Sequence, residues 1–384
     1  MDNKKNILSK LFIIAYVVSY AGILFISASQ LNSLVNNNTL VTMTYTLTMC
    51  VGILINIFLI FYSFNKRNMI ILFLLTIIFI APISLFHREM ISISFYLLFL
   101  FIINAPLVDS ESFIKIDLKM RLVMIVTIVL MYMLNLFPHI TYVNTTPFMR
   151  GGSLRYALGF NHANTLAMFV FSILLSFILV ARKVEKRLTI VISLIVLSLV
   201  IFKLTNSREF ILLALVVLIL YYFGNVKFFN KVIKFISYPS FAISLLAGLC
   251  FLLATDINSP LFHWINDLTS NRILIQYEAV KFYPIDWVGY VSTPLLDQYK
   301  INIDNMYMGY LVRYGIIGFA LFILFIFNCI RKSLKFGNYY SNICLILIPL
   351  AFITMNTNIL FAPMIYVSSL CISGLDSKNT GDKQ

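Results

Sequence analysis

Four short stretches hold the residues whose types and spacing could do chemistry. The first is Arg150-Gly-Gly-Ser-Leu-Arg155-Tyr-Ala-Leu-Gly159-Phe-Asn-His162-Ala-Asn164-Thr165, which leads directly into an apolar run. Arg155 and His162 are seven apart, so a helix would put them on one face, whereas Gly159 and Asn161 favour a turn at a membrane surface. The plainer use of the same residues is that Asn164 or Thr165 caps the next helix while the arginines reach back to headgroups. The second stretch, Thr205-Asn206-Ser207-Arg208-Glu209, stands at a helix end, where Arg208 either pairs with an acid such as Glu209 or points into a cavity. The third is Ser270-Asn271-Arg272. The fourth runs from Asp304 and Asn305 through Tyr307 and Arg313 to Gly315 and Gly318. It places Asp304 at the mouth of a helix, as an N-cap or a reactive carboxylate, and Arg313 about two and a half turns deeper. An arginine below the headgroups is costly unless it meets an anion, an acid or water.

The chemistry these residues share is the holding of an anion. An arginine offers a planar fork of donors that grips a phosphate in two places, and a nearby Asp or His can move a proton. Signatures of other chemistries are missing: the chain has no P-loop, no GxSxG, no HExxH and no paired-cysteine motif. His87, His139, His162 and His263 have no metal-ligand spacing, and the five cysteines lie in or at the ends of apolar runs. No metal and no cofactor are expected.

These residues have to be positioned by helices in lipid. Of 384 residues 60% are hydrophobic and 11% charged, with a mean hydropathy of +0.92, which leaves too little polar surface to cover a water-soluble globule. Apolar runs predict crossings near 11–29, 41–63, 68–86, 90–107, 122–138, 165–181, 188–203, 210–224, 236–254, 305–330, 341–355 and 358–375, making an all-α polytopic bundle of about twelve transmembrane helices. Leu11–Ala28 reads as a retained first helix, because no small-residue cleavage site follows it. With both termini cytoplasmic, 20 of the 29 basic residues fall inside, Arg121 among them, in line with the positive-inside rule. Six of the nine on the outer side are arginine, namely Arg88, Arg150, Arg155, Arg208, Arg272 and Arg313, against five of the twenty inside. That asymmetry points to an anionic ligand outside and accounts for the net charge of +14 without nucleic acid. Residues 1–384 form one membrane domain with two extracytoplasmic loops, 139–164 and the longer 255–304, and a short cytoplasmic tail, 376–384. Within the longer loop Arg272–Phe282 reads as an amphipathic helix with Ile273, Leu274, Ile275, Val280 and Phe282 in the headgroup region.

Arg155–Asn164 before a helix, Ser207-Arg208, Asn271-Arg272 in a long external loop, and Asp304-Asn305-x-Tyr307 followed by Tyr314-Gly-Ile-Ile-Gly together resemble the Wzy-type polysaccharide polymerase and O-antigen ligase family. The resemblance covers roughly 150–320 in motifs and the whole chain in hydropathy. It implies a metal-independent, inverting membrane glycosyltransferase on the outer face of the bacterial cytoplasmic membrane. In that reaction a hydroxyl of one lipid-linked repeat unit attacks the anomeric carbon of a polyprenyl-pyrophosphate-linked oligosaccharide and expels the lipid diphosphate. It further implies Arg155, Arg208, Arg272 and Arg313 on the pyrophosphate, with Asp304 or His162 as the catalytic base. Ligases resembling this family carry a His near the position of Asp304, so the Asp here weighs toward a polymerase. A flippase and a chain-length regulator are the expected protein partners, alongside membrane lipids. Two further readings stay open: a ligase-type acceptor, and a flippase or other carrier, against which stand the lack of paired halves and of ionisable residues near the midplane. A peptidoglycan-type polymerase ranks below these. Reporter fusions test the topology that all of them share: fusions within 139–164 and 255–304 are expected to report outside, and those at 183–186 and 331–335 inside.

Overall fold

A segment in apolar surroundings must satisfy its own backbone, so the long apolar runs of this chain are helices. The computed structural model describes residues 2–35, 38–63, 66–86, 91–137, 141–143, 154–182, 186–249, 259–268, 272–282, 285–287, 303, 305–354 and 358–370. His87, Arg88, His139, Arg150, Asn271 and Asp304 lie outside the described residues, as does the tail 376–384. In chain order the helices are α1 (Asp2–Ala15), which continues through a π-helical turn at Tyr16–Tyr20 into α2 (Ala21–Ala28), α3 (Thr39–Ser63), α4 (Lys66–Phe86), α5 (Ile91–Asn104), α6 (Ser110–Met133), α7 (Ala163–Val180), α8 (Arg187–Thr205), α9 (Arg208–Tyr222), α10 (Lys227–Gly248), α11 (Pro260–Leu268), α12 (Arg272–Phe282), α13 (Met306–Phe336), α14 (Tyr339–Ala351) and α15 (Ile359–Leu370). Short strands β1 (Thr141–Val143) and β2 (Leu154–Tyr156) form one antiparallel ribbon. The protein is thus essentially all-α, and five of the described helical segments are long and apolar enough to cross a membrane: Asn6–Ala28, α3, α7, α8 and α13.

Burial ranks these helices. Most of α7 is packed inside, as is almost all of α14, so both run through the centre of the bundle. Helix α8 is as apolar as α7 yet mostly exposed, with Leu188, Ile192 and Val196 standing on one face at 55%, 52% and 56% exposure. A face of that kind suits lipid and not water.

The core nevertheless holds one full ion pair. On α6, Arg121 donates from Nε to both oxygens of Asp117 at 2.9 Å, one turn away, and neither side chain is exposed. Tyr16, in the π turn, donates to Asp117 Oδ1 at 2.7 Å, and Ser176 of α7 donates to Oδ2 at 2.6 Å. Arg121 also donates to Ser172 of α7 at 2.8 Å. The pair therefore ties the first helix, α6 and α7 together, and Arg121 is not the loop residue expected from its place after Lys115 and Lys119. Charge counting along the chain could not separate them, because only packing decides which cation is covered.

Helix α13 departs furthest from expectation. Its 31 residues contain Gly315 at φ 69°, ψ −172°, a conformation open to glycine and to almost nothing else. In an unbroken helix Tyr310 and Phe322, twelve residues apart, would stand about 18 Å from each other along the axis. Their rings instead stack at 4.2 Å, and Tyr307 lies 6.3 Å from Phe322 and 6.2 Å from Phe352. The half-helix Met306–Tyr314 therefore folds back against Ile316–Phe336. The break exposes the N–H groups of Ile316 and Ile317, and the carbonyls of Asp286 and Trp287 accept them at 3.0 and 3.1 Å. At the other end Met306 N–H donates to the Phe352 carbonyl at 2.8 Å, and Asn305 Nδ2 to that of Gly248 at 2.7 Å. Hence the start of the half-helix lies level with Phe322, about 16 Å along α13 from Ser333, while Arg313 stands near the turn at its far end. The single crossing expected at 305–330, with Arg313 the deeper residue, is replaced by a hairpin in which Asn305 is the inner one.

Helices α11 and α12 pack onto this half-helix. Phe262, Ile273, Ala279, Ile303, Met308, Leu311 and Val312 form an apolar cluster separate from the main core. Arg272–Phe282 is helical as expected, but Ile273 is covered by protein and not by headgroups.

Removing one partner of the buried pair leaves an uncompensated charge, so Asp117→Leu is expected to lower the stability of the detergent-solubilised protein by about 3–5 kcal/mol. The double variant Asp117→Leu with Arg121→Met recovers most of that loss. Thermal unfolding of the three proteins measures both.

Candidate functional site

Arg155, the first predicted phosphate contact, lies on β2, whose backbone is held by pairing with β1 in the register Tyr142 to Arg155. The chain then turns sharply through Leu158 (φ 47°) and Gly159 (φ 88°). A Cβ at residue 159 would meet the Ile128 carbonyl at 2.8 Å, so the turn needs glycine for space as well as for φ. The turn is stitched to the end of α2: Gln30 N–H donates to the Gly159 carbonyl at 3.0 Å and Asn161 N–H to that of Ala28 at 2.8 Å. Asn161 Nδ2 donates to the Ser27 carbonyl at 2.8 Å. Of the two conformations open for Arg155–His162, the structure takes the turn.

His162 caps α7, a role expected of Asn164 or Thr165. Its Nδ1 accepts the Asn164 N–H at 3.1 Å, which makes the neutral imidazole the Nε2–H tautomer. Burial first, and the Arg155 guanidinium second, pull its pKa down to about 4. With the Nδ1 lone pair engaged and the proton on Nε2, His162 is set up as a cap and would have to give up that bond to act as a base.

Arg155 donates from Nε to the Thr205 carbonyl at 2.6 Å and from Nη2 to Asn164 Oδ1. Thr205 is the last residue of α8, where carbonyls lack helical partners and the helix dipole favours a cation. Asn206, left-handed at φ 49°, ends α8 and lets α9 begin two residues later. Arg155 thus joins the start of α7 to the end of α8, while its Nη1 has no partner among the described residues. Burial lowers the Arg155 pKa, Glu209 opposes that shift, and Arg272 adds to it, so all three groups lie within electrostatic reach of one another.

Glu209, in the first turn of α9, accepts from Arg272 Nη1 at the first turn of α12. Arg208 is exposed and makes no side-chain contact with its neighbour. The local Arg208–Glu209 pairing weighed from sequence gives way to one spanning 63 residues. Glu209 and Asn164, read from sequence only as a partner for Arg208 and as a helix cap, instead hold Arg272 and Arg155. A signal for Glu209 was present, since it is the single acidic residue between Glu185 and Asp256.

The structure therefore brings Arg155, His162, Asn164, Glu209 and Arg272 together at the ends of α7, α8, α9 and α12, with Arg208 at the edge. Arg313 stands apart on the half-helix, its Nε buried without a partner. No described contact joins it to this cluster, although Val312 beside it packs in the same apolar cluster as Ile273 of α12. Asp304 lies outside the described residues. Chemically the arrangement is a half-buried group of guanidiniums around one carboxylate, with a neutral histidine beside it.

Compared with protein-family models, curated proteins and solved structures, the chain matches none of them.

The low His162 pKa has a consequence for stability. Below pH 6.5 the unfolded chain takes up a proton that folded His162 refuses until about pH 4, so stability falls as pH drops through that window and is level above it. Thermal midpoints recorded from pH 4 to 8 are expected to show this slope. His162→Asn, which caps without titrating, is expected to flatten it.

Proposed function

We propose that this protein is a bacterial cytoplasmic-membrane glycosyltransferase, a polymerase of surface polysaccharide that joins lipid-linked repeat units on the outer face. The observation that carries the reading is the meeting of Arg155 and Arg272, drawn from two loops 117 residues apart, around one carboxylate at the helix ends. An anion is the ligand such a cluster fits, and five helices long and apolar enough to cross a membrane are compatible with a lipid-linked one.

In this reading Arg155, Arg208 and Arg272 take the diphosphate of a polyprenyl-linked glycan. An acceptor hydroxyl attacks the anomeric carbon, the bond from that carbon to the diphosphate oxygen breaks, and the arginines stabilise the charge that develops on the leaving group. Asp304 is the proposed base, because His162 is engaged as a cap; Arg313 is a secondary anion contact. The twelve-crossing arrangement with both termini inside belongs to the same proposal. Five helices long and apolar enough to cross a membrane support it, and the buried start of the half-helix brings Asn305, the neighbour of Asp304, into the protein interior.

Two observations favour a second reading, a flippase for the same lipid-linked oligosaccharide. Broken helices such as α13 and buried charges such as Asp117 and Arg121 are features of membrane carriers. Proteoliposomes separate the two, since a flippase moves substrate across the bilayer and a polymerase lengthens it on one side.

Arg155→Ala or Arg208→Ala is expected to leave an inserted protein whose polymerisation rate falls about a hundredfold. Mass spectrometry of lipid-linked intermediates would then find single repeat units accumulating. Long polymer at the normal level in both variants would remove the assignment.

A further inference from the structure

The acid of the cluster has no part in the transfer described above, yet it occupies an anion position on Arg272. Glu209 presents its carboxylate to the Arg272 guanidinium, the geometry in which arginine also takes a phosphate. The side chains of Arg272 and Glu209 are 20% and 28% exposed, so a ligand can reach the pair and exchange needs no unfolding. An ion pair this accessible is weak, well below the strength of a buried one.

Charge decides what could replace the carboxylate. Arg155 and Arg272 against one carboxylate leave one positive charge, with His162 neutral, and exposed Arg208 at the edge would add a second on turning inward. A diphosphate diester carries two negative charges and would bring the cluster to neutrality, whereas a phosphodiester carries one.

We infer that Glu209 is a resident place-holder, which the diphosphate of the incoming lipid-linked sugar displaces from Arg272. The inference rests on reading this cluster as a diphosphate site. It makes Glu209 a positioning and selectivity residue: Arg272 is held in place before the donor arrives, and an anion too weakly charged to outcompete the carboxylate is turned away. Because Arg272 begins α12 while Glu209 lies in the first turn of α9, displacement also releases a polar tie between the α11–α12 group and the main bundle.

The test is calorimetric titration of the full chain in detergent micelles with inorganic pyrophosphate. Glu209→Gln, which removes the competing charge, is expected to bind pyrophosphate about threefold tighter than the native protein. In an Arg272→Ala background that gain is expected to shrink. Inorganic phosphate should bind about tenfold more weakly than pyrophosphate, and the preference should narrow in Glu209→Gln. Equal or weaker pyrophosphate binding by Glu209→Gln would make Glu209 a strut for Arg272 and overturn the inference. So would equal competition by phosphatidylglycerol nanodiscs, which would mark an ordinary headgroup site. Glu209→Asp keeps the charge but shortens the reach; it serves if the Gln variant does not fold, with a smaller gain expected and a loss counting against the idea. Failure of the native protein to bind either pyrophosphate or farnesyl diphosphate would sink the diphosphate reading itself. Binding by the native protein with no gain in Glu209→Gln would sink the place-holder alone.

Discussion

In an apolar solvent no backbone N–H or C=O can be left to water, and most of the unusual features of this protein are answers to that constraint. Where α13 breaks at Gly315, the Ile316 and Ile317 N–H groups are taken by the Asp286 and Trp287 carbonyls, which draws residues 285–287 onto the hairpin. Where α8 ends at Thr205, the carbonyl that would have gone unpaired is taken by Arg155, which fixes that side chain between the start of α7 and the end of α8. Where α7 begins, His162 supplies the missing acceptor. The candidate site is thus assembled from helix ends, because helix ends are where polar groups are both needed and available.

The same constraint separates two kinds of charge. Asp117 and Arg121 are fully covered and answer each other with the help of Tyr16, Ser172 and Ser176; their role is to hold the first helix, α6 and α7 in register. Arg155, Glu209 and Arg272 are only partly covered, carry an excess of positive charge, and keep contact with solvent. A cluster that is neutral and closed stabilises, while one that is charged and open recruits. That difference, more than the number of charges, is why the second cluster is the proposed place for a ligand.

Much of the fold could be read in advance because hydrophobicity and helical length are local quantities. The described helices overlap most of the expected apolar runs, five of them long and apolar enough to cross a membrane, and Arg272–Phe282 forms the short helix its pattern predicted. The turn at Gly159 was legible for the same reason, since a glycine beside Asn161 ends a helix by its own backbone preference. Pairing was not legible. Glu209 passes over its neighbour Arg208 for Arg272, Arg121 leaves the cytoplasmic loop assigned to it, and the cap of α7 falls to His162 instead of Asn164.

What the amino-acid sequence determined by itself was the solvent, the helices and the surplus of arginine on the predicted outer side, because each follows from composition and from interactions within one helical run. Only the tertiary structure decided that Met306–Tyr314 doubles back, which arginines meet, and which acid stands among them. A chain reversal at Gly315 depends on residues 286 and 287 arriving to accept two N–H groups, and an ion pair across 63 residues depends on two helix starts being packed side by side. Neither condition is present in any stretch short enough to be read alone.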